Sequence, residues 1–123
     1  MKNLHLTKDK DGKSGIFNIP VEDVFYFENC IGKIRRLNVH TSQGMFYAMG
    51  TMTYLMEALN NSGYHFSVGD RSACINLDRV VRVNEYFLTA YFDDSNEGCM
   101  LTDKGYQELM EELKVLNPNM LFN

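Results

Sequence analysis

The sequence predicts a mainly β domain of small antiparallel sheets in an elongated arrangement, with one short helix between them and a second at the C-terminus. Three observations carry this expectation. Most of the chain reads as short segments, alternating or apolar and rich in Val, Phe and Tyr, punctuated by Gly and Asn. Only two stretches change to a helical period. The 123 residues are 45% hydrophobic and include eight Phe and seven Tyr, enough for one core but too few residues for two ordinary domains. No repeat, low-complexity block or flexible linker divides them, so residues 1–123 are read as one domain.

From the N-terminus, the polar run Lys8-Asp9-Lys10-Asp11-Gly12-Lys13 predicts a turn between two short strands. Strands follow over residues 15–19 and 21–30, separated at Pro20. Residues 32–41 and 45–49 form a hairpin around Ser42-Gln43-Gly44. At Thr51, a suitable N-cap, the period changes: Met52, Leu55, Met56 and Leu59 fall on one helical face, and Asn60-Asn61-Ser62-Gly63 ends it. Strand patterns return over residues 64–68, 73–77, 80–84, 86–92 and 98–101, with the acidic stretch 93–98 as a turn. The last element places Tyr106, Leu109, Met110, Leu113 and Leu116 on one face of a helix over residues 104–116, stopped by Asn117-Pro118. The total is about nine short strands and two helices. The expected core includes Phe25, Phe27, Leu37, Val39, Leu55, Phe66, Ile75 and Val80.

Composition narrows function by exclusion. The net charge of −4 argues mildly against a partner held mainly through its phosphates. No apolar run approaches the ~18 residues of a membrane span, and the first fifteen residues are too polar for a signal peptide, so a cytoplasmic protein is expected. Cys30, Cys74 and Cys99 are odd in number and far apart, which suits buried reduced thiols rather than a disulfide framework or a zinc site. Dinucleotide, P-loop, zinc-protease and nucleophile-elbow motifs are absent, so neither an enzyme nor a cofactor is expected. His5, His40 and His65 read as half-exposed strand residues, and Asp93, Asp94 and Glu97 as a solvated tip without the spacing of a calcium loop. Met45, Met49, Met52 and Met56 read as packing.

Four pieces in order are more specific. They are Ile19-Pro20-Val21-Glu22-Asp23-Val24-Phe25-Tyr26-Phe27-Glu28, Leu37-Asn38-Val39-His40-Thr41-Ser42-Gln43-Gly44, the stretch from Phe66 through Arg71-Ser72-Ala73-Cys74-Ile75-Asn76-Leu77, and Leu101-Thr102-Asp103-Lys104-Gly105-Tyr106. Together they resemble the LytTR family of DNA-binding domains over about residues 4–116. The resemblance implies small antiparallel sheets that read DNA through loops, at the output end of bacterial response regulators, on paired repeats upstream of promoters. It also implies contact roles for Ser42, Gln43, Arg71, Ser72 and Lys104. At this length the chain is expected to be the output module alone, without a receiver domain or its phosphorylation input.

Two departures touch the contact loops. Where the family typically shows Arg-x-His-Arg-Ser, this chain has Val68-Gly69-Asp70-Arg71-Ser72, and where an Arg follows Ser near the C-terminus it has Asp103. An Arg-to-Asp change moves the local charge by two units and sets a carboxylate against phosphates. Arg71 stands open to two readings, a phosphate or base contact and a surface ion pair with Asp70 or Asp78. Asn76 and Ser72 are open to a structural reading as well, bonding loop backbone. The leading expectation is a transcriptional regulator binding double-stranded DNA with reduced affinity, as a homodimer on DNA or with a protein partner. The alternative is a module of the same fold that has lost DNA binding and acts through protein contacts.

Overall fold

The computed structural model describes residues 2–30, 32, 35–70, 72–93 and 98–118. Strands β1 (Asn3–Leu6) and β2 (Phe17–Pro20) pair antiparallel around the polar turn. Asp9 holds that turn: its carboxylate accepts the backbone N–H groups of Lys13 and Ser14 and the Ser14 hydroxyl at 2.6 Å. These bonds, the hydroxyl first, lower its pKa to about 2.

The central sheet has five antiparallel strands in the order β5-β4-β3-β7-β6. They are β3 (Val24–Asn29), β4 (Arg36–Thr41), β5 (Gly44–Met49), β6 (Phe66–Asp70) and β7 (Ala73–Asn76). On β4 the predicted alternation holds, with Leu37, Val39 and Thr41 buried and Arg36, Asn38 and His40 half-buried. Helix α1 (Met52–Asn60), capped by the Thr51 hydroxyl, closes one face over Phe27, Leu37, Val39, Phe46 and Phe66, together with β1 and β2. The other face is covered by a three-stranded sheet, β8 (Arg82–Asn84), β9 (Thr89–Tyr91) and β10 (Gly98–Met100), and by helix α2 (Asp103–Leu116). Ile75, Val83, Ala90, Leu109 and Leu113 form the centre of this second core. All four residues of β7 are buried, as expected of a strand covered on both faces.

The outline agrees with the sequence pattern, with physical exceptions. Val21–Asp23 is a 3₁₀ turn rather than the start of a strand, set up by the fixed φ of Pro20. Residues 85–88 form a turn between β8 and β9, so Tyr86 and Phe87 leave the sheet. There the Asn84 side chain accepts the Phe87 N–H, offering the backbone an alternative to the ladder. The charged stretch 33–40 reads in the sequence as an exposed edge strand protected by its charges, but β4 lies inside the sheet, and β5 and β6 are the edges. Thr7 covers part of the β5 edge by exchanging two backbone hydrogen bonds with Tyr47, at 3.0 and 2.7 Å. Of the expected core, Phe25 and Leu55 are half-buried at the margins of the two clusters, and the other six are buried.

Each described histidine has a partner: His5 with Asn18, His40 with Glu28 and His65 with Asp78. All three cysteines are buried and unpaired. Among the described residues no three His, Cys, Asp or Glu side chains stand together as a metal set, and no helix is long and apolar enough to cross a membrane. Asp94 and Glu97 lie outside the described residues.

Candidate nucleic-acid interface

Three backbone hydrogen bonds gather four loops at one end of the molecule. The N–H of Asn29, at the end of β3, donates to the Ser72 carbonyl at 2.9 Å, joining the β3–β4 loop to the β6–β7 loop. The Thr102 N–H donates to Gly69 at 3.2 Å, adding the segment that enters α2. The Leu101 N–H donates to Leu88 at 2.7 Å, adding the β8–β9 turn. Loops fixed by a rigid sheet at a shared end are a common way to present a binding surface.

Lys104 sits on this end, exposed, in the first turn of α2. A cation there is opposed by the positive end of the helix dipole, so the helix itself gives no reason for it. Its ammonium makes no hydrogen bond or ion pair among the described residues, although it shares a cleft of about 210 Å³ with Asp70 and Glu108. Ser72 is exposed on the neighbouring loop. Arg71 lies outside the described residues. Both substituted acids have local work: Asp70 accepts the Ser72 N–H at 3.2 Å, and Asp103 stands in the first turn of α2, where a carboxylate suits the dipole.

Ser42 and Gln43 are at the other end of the sheet. Their turn follows Thr41, which pairs with Val24 at the start of β3, whereas Ser72 meets Asn29 at its finish. At ~3.3 Å per residue those ends are roughly 17 Å apart. Gln43 is also engaged, its side-chain amide donating to Asp23 at 2.8 Å, while the Ser42 N–H donates to the Asp23 carbonyl. The structure therefore brings Ser72 and Lys104 together and leaves Ser42 and Gln43 apart.

Arg35 joins the first group, a residue the sequence pattern placed within a strand. It precedes β4 in the left-handed region, with φ of 58°, and is exposed while its carbonyl accepts the Gly50 N–H. Only Arg, without a Gly or Asn signal, marked that position, so its loop geometry was not legible. Two further cations are occupied: Arg79 donates to the Glu22 carbonyl and lies over the Phe25 ring, and Arg82 lies 3.9 Å from the Tyr91 ring centroid. Asn76 is structural, donating to the Val24 carbonyl and accepting the Asp78 N–H.

The profile described as the LytTr DNA-binding domain matches residues 14–114. The chain belongs to the LytTr DNA-binding domain family. A solved structure, the LytTr DNA-binding domain of a Bacillus cereus protein described as a methyl-accepting/DNA response regulator, superposes with a TM-score of 0.67 at 17% identity. The match covers 92% of this chain and 96% of that one, so the LytTr fold is shared nearly end to end. No curated protein matches the chain. This LytTr domain is thus a DNA-binding regulator module, with its sheets in the family arrangement.

Proposed function

We propose that this LytTr domain holds duplex DNA with the end where Asn29 meets Ser72 and Gly69 meets Thr102. Arg35 and Lys104 contact phosphates, the Ser72 hydroxyl positions the β6–β7 loop against the backbone, and Arg71 on that loop reaches a phosphate or a base edge. The carrying observation is that Arg35 and Lys104 are exposed at one end and their side chains have no partner among the described residues, while Arg79 and Arg82 are engaged elsewhere. Binding is weaker than a fully basic surface would give, because Asp70, Asp103 and Glu108 stand beside the same loops. The targets are double-stranded repeat sites, each repeat taking one copy of the domain, and the activity is cytoplasmic binding without catalysis or a cofactor.

Anisotropy with a labelled mixed-sequence duplex tests the placement. Arg35→Ala and Lys104→Ala each weaken binding, whereas Ser42→Ala and Gln43→Ala leave it unchanged. The reverse pattern would move the interface to the opposite end of the sheet. Retained folding with no binding by any variant or by the unsubstituted domain would favour a protein partner.

A further inference from the structure

The β8–β9 turn carries the most exposed aromatic pair on the described surface. Tyr86 is 87% and Phe87 61% exposed, and their rings meet edge to face at 5.0 Å. Exposure of both rings on a soluble domain invites a function, since scattered surface apolar residues are common but a paired aromatic tip is not required by this core. The tip is held rather than loose. The Phe87 N–H donates to Asn84 at 2.8 Å, the Phe87 carbonyl accepts the Thr89 hydroxyl at 2.9 Å, and Leu88 adopts a positive φ of 47°. A non-glycine residue in that region is strained, and strain of this kind persists where surrounding bonds fix it.

The position of the tip points to its occupant. Leu88 accepts the Leu101 N–H, so Tyr86 and Phe87 stand beside the segment leading into Lys104. Burial raises the pKa of Tyr106, on the first turns of α2, and the charge of Glu85 adds to it. We infer that Tyr86 and Phe87 form an aromatic wedge that enters the DNA groove next to the phosphate-contacting loops and packs on a base step. This rests on the DNA-binding end proposed above and names a contact that needs no positive charge. Glu85 on the same turn disfavours the phosphate backbone as the surface the tip meets, as Asp70 and Asp103 do at the neighbouring loops, so base faces and edges suit the two rings better. Apolar side chains inserted at a base step are a known means of gripping duplex DNA, and aromatic rings stack on bases without regard to sequence. A domain with few free cations gains from such a contact, because its strength does not depend on releasing counterions.

The absence of Trp from the chain gives a direct probe. Phe87→Trp places a single indole at the tip, and Val115→Trp places one at the far end of α2, where Val115 is 81% exposed. With a mixed-sequence duplex, under conditions where anisotropy reports binding, the tip indole should be quenched and shielded from acrylamide, while the control indole stays unchanged. Replacing both aromatic residues with Ala should weaken binding by roughly 5- to 100-fold and leave its salt dependence unaltered. Binding by the unsubstituted domain with a tip indole as accessible as in the free protein would overturn the wedge and leave the DNA-binding end standing. Equal changes at both indoles would also overturn it. No binding by the unsubstituted domain would overturn the DNA-binding end and the wedge together.

Discussion

A Cβ built on Gly105 would lie 2.0 Å from the carbonyl oxygen of Gly69. Strand β6 and the first turn of α2 therefore touch backbone to backbone, and the Thr102 N–H bond to Gly69 seals the contact. Gly69 is itself hemmed in, since a Cβ there would come within 2.3 Å of the Ile75 Cδ1 atom. These two glycines set the distance between the loop ending at Ser72 and the loop carrying Lys104.

Gly105→Ala tests that contact. Alanine favours a helix by about 1 kcal/mol over glycine, but the clash meets backbone that cannot swing aside. Overpacking of this kind costs about 1–3 kcal/mol, so net destabilisation is expected, read as a lower Tm. Since α2 must move away from β6, DNA affinity should fall as well. A variant as stable as the original protein would show that the spacing is not fixed by this contact.

Asn76, at the end of β7, ties β3 to the turn that follows β7 and is 2% exposed. Its amide donates to the Val24 carbonyl at 2.9 Å and its oxygen accepts the Asp78 N–H at 3.2 Å. Asn76→Ala leaves a buried carbonyl without its donor, which costs about 1–3 kcal/mol. Chemical denaturation should show that loss, whereas Ser72→Ala, on the exposed loop, should shift stability by less than about 0.5 kcal/mol.

Burial pushes the thiols of Cys74 and Cys99 from an ordinary 9.0 up to about 12. Coupling to neighbouring acidic groups adds to it, the Cys99 thiol and Glu112 for Cys74, Glu28 and Asp70 for Cys99. A raised pKa means the fold favours the neutral thiol. The associated stability is complete below pH 9 and is lost between pH 9 and 12, as the unfolded chain ionises first. Thermal unfolding across that range should show a decline that is shallower in Cys74→Ala/Cys99→Ala, whatever that variant's stability at neutral pH. Native protein at pH 8 should also resist iodoacetamide at both positions.

The alternation of Leu37, Val39 and Thr41 and the helical spacing of Met52, Leu55, Met56 and Leu59 made the central sheet and α1 legible, because burial on one face imposes a period on the sequence. That Lys104 and Ser72 share one end was legible through the order of the family's motifs. Arg35 was not, because its place depends on a left-handed backbone that a run of Lys and Arg does not announce. Ser42 and Gln43 resembled contact residues in sequence, yet the antiparallel pairing of β3 with both β4 and β7 sends their turn to the opposite end. The same holds for Tyr86 and Phe87: β-rich composition suggested a strand, and one Asn side chain turned the chain instead.

The salt dependence of duplex binding tests the central claim most directly. Log affinity should fall with log salt at a shallow slope, about −0.9 for each phosphate neutralised, and Lys104→Ala should flatten it by about that amount. Asp70→His with Asp103→Arg should strengthen binding and steepen the slope, while Arg71→Ala should weaken it by about 1–3 kcal/mol if the guanidinium meets a base. A folded restored variant that binds no duplex even at low salt, with the unsubstituted domain equally inert, would contradict DNA binding through this end.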